Sequence, residues 1–324
     1  MNRMNRMNRM NRMIITFFAI GFNYLAVGQI RYPQGWGHYP VLAKYSNPPR
    51  PGQAGTDSMT FKLIPGDTKV IHLERAGEDH SKTVGNGYSQ LTANGAIRKP
   101  FYLSHDEPFS IEDPPANSSA QTRAELDFLL ELQSRRTEED IRASKYFASV
   151  FYRTSTRPGD ADYERMQRNL FHIGRSVAPW FNADSLPATA ELVRRVWADA
   201  SYILWKCKNH FVRIRPYKLD PALKNLEETN WAAYPSGHAT NSYTNAYLFS
   251  ELMPEFSSFF IKDAYDMAHS REILGVHYPS DSESGRFLGY ELIQKLKTNP
   301  VFRADFEKAK LEIQSMKKRK GYGS

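Results

Sequence analysis

Thiols are nearly absent from this chain, with Cys207 the one cysteine in 324 residues. A disulfide scaffold and a thiolate metal centre are both excluded, because each needs at least a second cysteine. Long apolar runs are missing too. A charge-free stretch from Met13 to Gly28 has about 16 residues and is broken by Asn23, short of the roughly 20 that cross a bilayer. No later segment is long and apolar enough either. With 41% hydrophobic and 24% charged residues and a mean hydropathy of −0.58, the composition fits neither a polytopic membrane protein nor a disordered chain. Strand-type alternation is absent after about residue 114, which leaves the helical period to organise that half.

Acidic residues are missing from the first 28 positions, and this explains half of the net charge of +8. Residues 1–12 are four Met-Asn-Arg triplets carrying Arg3, Arg6, Arg9 and Arg12, followed by the apolar run and by Ala26-Val27-Gly28. This order of basic, apolar and small residues predicts a signal peptide over 1–28, cleaved near Gln29. The mature chain would carry +4, modest for a nucleic-acid binder, and a periplasmic or secreted location is expected. No specific nucleic-acid partner and no membrane span after cleavage are expected, while a homo-oligomer stays open.

Residues 29–113 read as a loop-rich extension, punctuated by PQGWGHYP, NPPRPGQAG and GNG. Thr60–Ile64 and Lys69–Leu73 around Pro65-Gly66-Asp67 predict one hairpin. Its histidines His72, His80 and His105, with His38, have no metal-ligand spacing and read as surface residues. From 114 to 318 the helical period dominates. Leu126, Leu129 and Leu130 define a helix preceded by capping residues at 117–119. A second helix is predicted from Pro187, with Ser185 as its cap candidate, and others over about 239–252, 259–273, 280–297 and 301–318. The expected fold is an all-α bundle behind an irregular extension, ending in a solvated basic tail at 319–324.

Three segments carry chemistry. Lys208 and Arg215 lie seven apart, which on a continuous helix places them within about 20° in azimuth and about 10 Å along the axis, close enough to share a small anion. Pro216 biases Arg215 away from helix. A solvated basic face would have the same spacing. In Tyr234-Pro235-Ser236-Gly237-His238, a proline and a glycine precede a helical run, leaving free N–H groups that suit an anion, although a plain N-cap with an exposed histidine would look the same. In the third segment, Gly275 can end one helix and Pro279 can start the next, placing Asp281 third in that helix with His277 just outside. Asp281 could then accept Nδ1–H of His277 and leave Nε2 as a free lone pair, or simply cap a helix beside a core histidine.

The order and spacing of K-x6-R-P, P-S-G-H and S-R-x5-H-x3-D resemble the signature of the superfamily that includes type 2 phosphatidic acid phosphatases, bacterial class A acid phosphatases and vanadium haloperoxidases. From about Pro114 (DPPANSSAQTRAELDFLLELQSRRT) through NPVFRADFEKAK the chain looks like a class A non-specific acid phosphatase. That resemblance implies a helical bundle and a metal-independent hydrolysis of small phosphomonoesters through a phosphohistidine, with no cofactor. It implies Lys208, Arg215 and Arg271 as phosphate-binding cations, and Ser236 and Gly237 as backbone N–H donors. His238 is then the general acid, His277 the nucleophile and Asp281 its orienting partner. His210 and His269 have no slot in this scheme. The alternative is a vanadium-dependent haloperoxidase using the same oxyanion site, disfavoured by the short gap between Pro216 and Pro235. A membrane lipid phosphatase lacks its spans here, and a phosphate-binding protein without turnover would be expected to lack His238 or His277.

Overall fold

Capping side chains set the start of several helices in the computed structural model, which describes residues 100–322 except 105, 106, 110 and 230. The expected leader at 1–28 and the expected hairpin at 60–73 lie outside the described residues. Helix α1 spans Ala120–Arg135, and the Ser119 hydroxyl accepts Thr122 N–H at its start. Helix α2, Glu138–Ala148, has a reciprocal box in which Thr137 N–H donates to Asp140 Oδ2 at 2.8 Å and Asp140 N–H to Thr137 Oγ1 at 3.1 Å. Helix α3 is short, Tyr163–Leu170. The apolar period does not announce α2 and α3, because α2 opens on three acids and α3 has eight mostly polar residues.

Helix α4 runs over Pro187–Phe211 with Pro187 in its first turn. Ser185 does not cap it. Its N–H instead donates to Asn182 Oδ1 at 2.9 Å, while the Glu312 carboxylate accepts the N–H groups of Ala188 at 2.9 Å and Thr189 at 2.8 Å. A carboxylate at a helix N-terminus satisfies orphan donors and complements the dipole, so a residue 123 positions beyond Thr189 does what the adjacent serine was expected to do. Helix α5, Pro216–Leu219, is a single turn. Then follow α6, Gly237–Leu252, α7, Ser257–Ile273, α8, Pro279–Leu296, and α9, Pro300–Arg319. These four match the predicted helices to within two residues at each end, and every regular element among the described residues is helical, as expected.

Helix α6 is the centre of the fold. Its buried residues go all round the cylinder, from Ala239 and Tyr243 to Leu248 and Phe249, because α4, α7 and α8 all pack on it. The buried carboxylate of Asp199 on α4 ties down the last part of the irregular extension, accepting N–H of Phe101, Tyr102 and Leu103 at 2.7, 3.1 and 3.2 Å. At the other end the expected solvated tail begins with residues tied to α9. Tyr322 N–H donates to Lys317 O at 3.0 Å and its ring packs edge-on against Trp180, which closes the last turn of α9.

Close approach of α8 to α6 depends on Gly285. A Cβ there would lie 2.8 Å from Thr240 N and 2.9 Å from both Ala239 Cβ and Ser236 O, two backbone atoms and a Cβ fixed to the backbone, none of which can swing aside. Gly285→Ala is expected to cost about 1–3 kcal/mol through overpacking, lowering Tm by roughly 2–4 °C per kcal/mol. The overpacking should also strain the contact between the two helix starts, where Ser236 N–H donates to Asp281 O at 2.9 Å. Thermal melts check this, and an unchanged Tm would refute the close-packing argument.

Candidate active site

Lys208 enters the site from the last turn of α4, buried, with Nζ donating to Ala232 O at 2.7 Å. The helix stops at Phe211, and Val212 turns the chain in the left-handed region at φ 44, ψ 40, a strained conformation for a β-branched residue. Arg215 follows in extended conformation at φ −72, ψ 146. The expected helical alignment of Lys208 and Arg215 is therefore corrected: the helix ends between them. They converge because the chain reverses, and both reach Ala232 O, Arg215 Nη2 at 3.2 Å. Arg215 also donates from Nε to Trp231 O at 2.8 Å and from Nη1 to Val276 O at 2.6 Å.

Arg271 comes from the last turn of α7. Its two terminal nitrogens fork onto the Glu227 carboxylate at 2.9 and 2.6 Å, and its buried Nε has no partner among the described residues. Gly275, at φ +72, ends this helix with Gly275 N–H on Glu272 O at 2.9 Å and Val276 N–H on Arg271 O at 3.1 Å, a left-handed cap that suits glycine. That turn delivers His277 to the start of α8. Asp281 is the third residue of α8, and its Oδ2 accepts from Tyr278 N–H and His277 Nδ1, both at 3.0 Å.

The tautomer of His277 follows from its two neighbours. Arg215 Nη1 lies 2.9 Å from His277 Nε2, and a guanidinium can only donate, so Nε2 carries a lone pair. Nδ1 then holds the proton and donates a hydrogen bond to Asp281 Oδ2. Burial, followed by the charge of Arg215, holds His277 well below the ordinary histidine range against the opposing pull of Asp281. For Asp281 burial acts upward but is outweighed by Arg213 and by His277, so the carboxyl lies below the usual carboxylate range.

At the start of α6 one expectation changes. Ser236 was expected to offer its backbone N–H to phosphate, but that N–H is taken by Asp281 O at 2.9 Å, and its hydroxyl faces Ala239 N–H at 3.4 Å. Gly237 and His238, the first two residues of α6, keep N–H groups with no intrahelical acceptor, so the backbone donors shift one residue along the chain. The His238 ring is half-buried, with Nε2 3.2 Å from Ala148 O at the end of α2. Burial, then Arg271, then Arg215 and Lys208 push its pKa well below the ordinary value, against the hydrogen bond to Ala148.

His210 and His269 stay out of the cluster. His210 is exposed, its ring edge-on to Phe211, and His269 bonds Glu272 at 2.8 Å within α7. Arg213, Glu125, Ser280 and Glu227 were not singled out from the sequence. Glu125 carried a usable signal, since Thr122, Glu125 and Leu129 share the buried face of α1 and an acid at such a position needs a partner. The spacing around Glu227 carries none. Among the described residues no group of three or more His, Cys, Asp and Glu side chains is placed to hold a metal ion. The cluster can bind a tetrahedral oxyanion between Lys208, Arg215, Arg271 and the α6 N-terminus, with a neutral imidazole beside it.

Residues 196–297 match the PAP2 superfamily, a range that holds every cation and histidine of the cluster. The chain is 30% identical over 138 residues to a non-specific acid phosphatase of Providencia stuartii, covering 41% of this chain and 56% of that protein. It is 29% identical over 229 residues to a non-specific acid phosphatase of Salmonella typhi, covering 68% of this chain and 86% of that protein. The solved structure of a bacterial vanadium-dependent iodoperoxidase aligns over 60% of this chain and 55% of that one, at 19% identity and a TM-score of 0.42. The matched stretch thus spans little more than half of the Providencia stuartii relative.

Proposed function

Since the chain carries a PAP2 superfamily domain, we propose that it is an acid phosphatase that hydrolyses small phosphomonoesters through a phosphohistidine on His277. The observation that carries this is the setting of the buried His277 ring, with Nδ1 3.0 Å from Asp281 Oδ2 and Nε2 2.9 Å from Arg215 Nη1, from which a neutral imidazole with its lone pair on Nε2 follows. Phosphoryl transfer needs mainly positioning and charge neutralisation. The Nε2 lone pair attacks phosphorus in line, while Arg215, Lys208 and Arg271 move their donors onto the equatorial oxygens, joined by the N–H groups of Gly237 and His238. As the P–N bond forms and the P–O bond breaks, His238 gives its proton to the departing oxygen. Water then attacks the phosphohistidine, His238 takes a proton from it, and the P–N bond breaks to release inorganic phosphate. Both protein groups return to their starting states.

The leader-like residues 1–28 support an exported enzyme, periplasmic or secreted. Three cations with helix N–H groups support turnover without a metal, each charge-assisted hydrogen bond contributing roughly 1.5–3 kcal/mol. The test is a side-by-side assay of purified protein for p-nitrophenyl phosphate hydrolysis and for bromide oxidation with peroxide and vanadate. Hydrolysis is expected, undiminished by EDTA and inhibited by vanadate, which adopts the five-coordinate geometry of the transferring phosphoryl group. Bromide oxidation with negligible hydrolysis would overturn the assignment. Loss on chelation, restored by a divalent ion, would overturn the metal-free site.

A further inference from the structure

We propose that Arg213 is a positioning residue that keeps His277 nucleophilic by holding Asp281 as a carboxylate, with Glu125 and Ser280 fixing Arg213 in place. This rests on the reading of His277 as nucleophile. Arg213 is fully buried, and it donates from Nη1 to Asp281 Oδ1 and Ser280 Oγ, both at 2.7 Å, and from Nη2 to Glu125 Oε2 at 3.1 Å. Glu125, also fully buried, accepts Ser280 N–H on Oε1 and Ser280 Oγ–H on Oε2, both at 2.9 Å. The guanidinium lies 3.9 Å from the centre of the Tyr278 ring. Asp281 thus divides its oxygens, Oδ2 to His277 and Tyr278 N–H, Oδ1 to Arg213.

With only the N–H donors of Tyr278 and His277 on its Oδ2, the buried Asp281 carboxylate needs a nearby cation to stay ionised. His277 cannot be that cation, because its Nε2 accepts from Arg215 and must remain a lone pair to attack phosphorus. Lys208 and Arg215 are committed to backbone carbonyls and to the oxyanion pocket. The remaining charged or titratable groups around Asp281 are Glu125 and the phenols of Tyr234 and Tyr278, none of which can supply positive charge. Arg213 is left as the direct counter-ion. Without it the favoured neutral arrangement puts a proton on Asp281. An Oδ2–H would then donate to Nδ1, the imidazole would carry its proton on Nε2, and that N–H would face the Arg215 donors and lack the attacking lone pair.

The test compares wild type with Arg213→Met, with the charge-balanced double variant Arg213→Met/Glu125→Gln, and with Arg213→Lys, all first checked for a folded circular dichroism spectrum. Two readouts are taken: the ¹⁵N shifts of His277, which separate the two tautomers without turnover, and the pH profile of phosphoenzyme formation by rapid quench. Wild type is expected to hold Nδ1–H and to show no Asp281 limb in the acid range. Both methionine variants should shift His277 towards Nε2–H and slow phosphoenzyme formation about 10²–10⁴-fold at acid pH, the scale of a wrong-tautomer defect. Their rate should recover as pH rises, through an acid limb that wild type does not show. Arg213→Lys, keeping the charge, should rescue the tautomer in part. An unchanged tautomer and a pH-independent loss in every folded variant would reduce Arg213 to a structural role and overturn the proposal. Absence of a phosphoenzyme in wild type, with the tautomers behaving as expected, would instead overturn the phosphatase reading.

Discussion

His277→Ala is expected to abolish turnover of every phosphomonoester, with a loss on the order of 10⁶-fold in kcat, the scale seen when a covalent nucleophile is removed. The loss should not depend on the leaving group, because no P–N bond can form with any of them. The fold should survive. Asp281 keeps Arg213 Nη1 at 2.7 Å and Tyr278 N–H at 3.0 Å, and Arg215 keeps three backbone carbonyls. Rapid quench with a radiolabelled phosphomonoester reads the intermediate directly: label on the wild-type chain that is stable in alkali and released by acid, and none on the variant. A phosphoenzyme that still forms in His277→Ala would remove His277 from the nucleophile position.

Much of this site could be read from the sequence because its geometry is local. Gly275, His277, Pro279 and Asp281 lie within seven residues, and the turn rules for glycine and proline place them without reference to the rest of the chain. The Nδ1 bond of His277 to Asp281 is a consequence of that local geometry. Lys208 and Arg215 were placed by a different rule, helical repetition, which fails once Val212 enters the left-handed region. No residue between them is a glycine or proline that would have marked the turn. Ser236 was misjudged for a tertiary reason: its N–H is free in an isolated helix start and is used only because α8 brings Asp281 O alongside.

The fold was legible where apolar residues repeat and obscure where caps or distant partners decide. The four helices from 237 to 319 have apolar faces that their sequence announces. Helix α2 is set by the Thr137–Asp140 box and has only one buried large apolar residue, Phe147, too few to show a period. The start of α4 is satisfied by Glu312, and no window around residue 187 contains that information. The same holds for Arg213, whose partners Glu125 and Ser280 lie 88 and 67 residues away. Buried ion networks are assembled across elements, so spacing motifs reveal their members only after the helices are packed.

His238→Ala is expected to separate substrates by leaving group. The ring is held by Nε2, which donates to Ala148 O at 3.2 Å, since a carbonyl can only accept. The transferred proton must therefore be on Nδ1, and the acid form is the imidazolium with both nitrogens protonated. Burial, Arg271, Arg215 and Lys208 all oppose that form. A bound phosphate dianion offsets the three cations, so the pKa of His238 rises on binding, and the alkaline limb of kcat should lie at higher pH than that of kcat/KM. An alkoxide leaves poorly without a proton, whereas nitrophenolate is stable as an anion. General acid catalysis contributes about 10²–10⁴-fold, so the variant should lose that factor on alkyl phosphates and far less on p-nitrophenyl phosphate. The comparison must be made in the phosphoenzyme-forming step, because the proposed mechanism also gives His238 the base role in dephosphorylation, and its loss should then trap the phosphohistidine. Equal losses on both substrates in that step would remove His238 from the acid role, and an unaltered dephosphorylation rate would remove it from the base role.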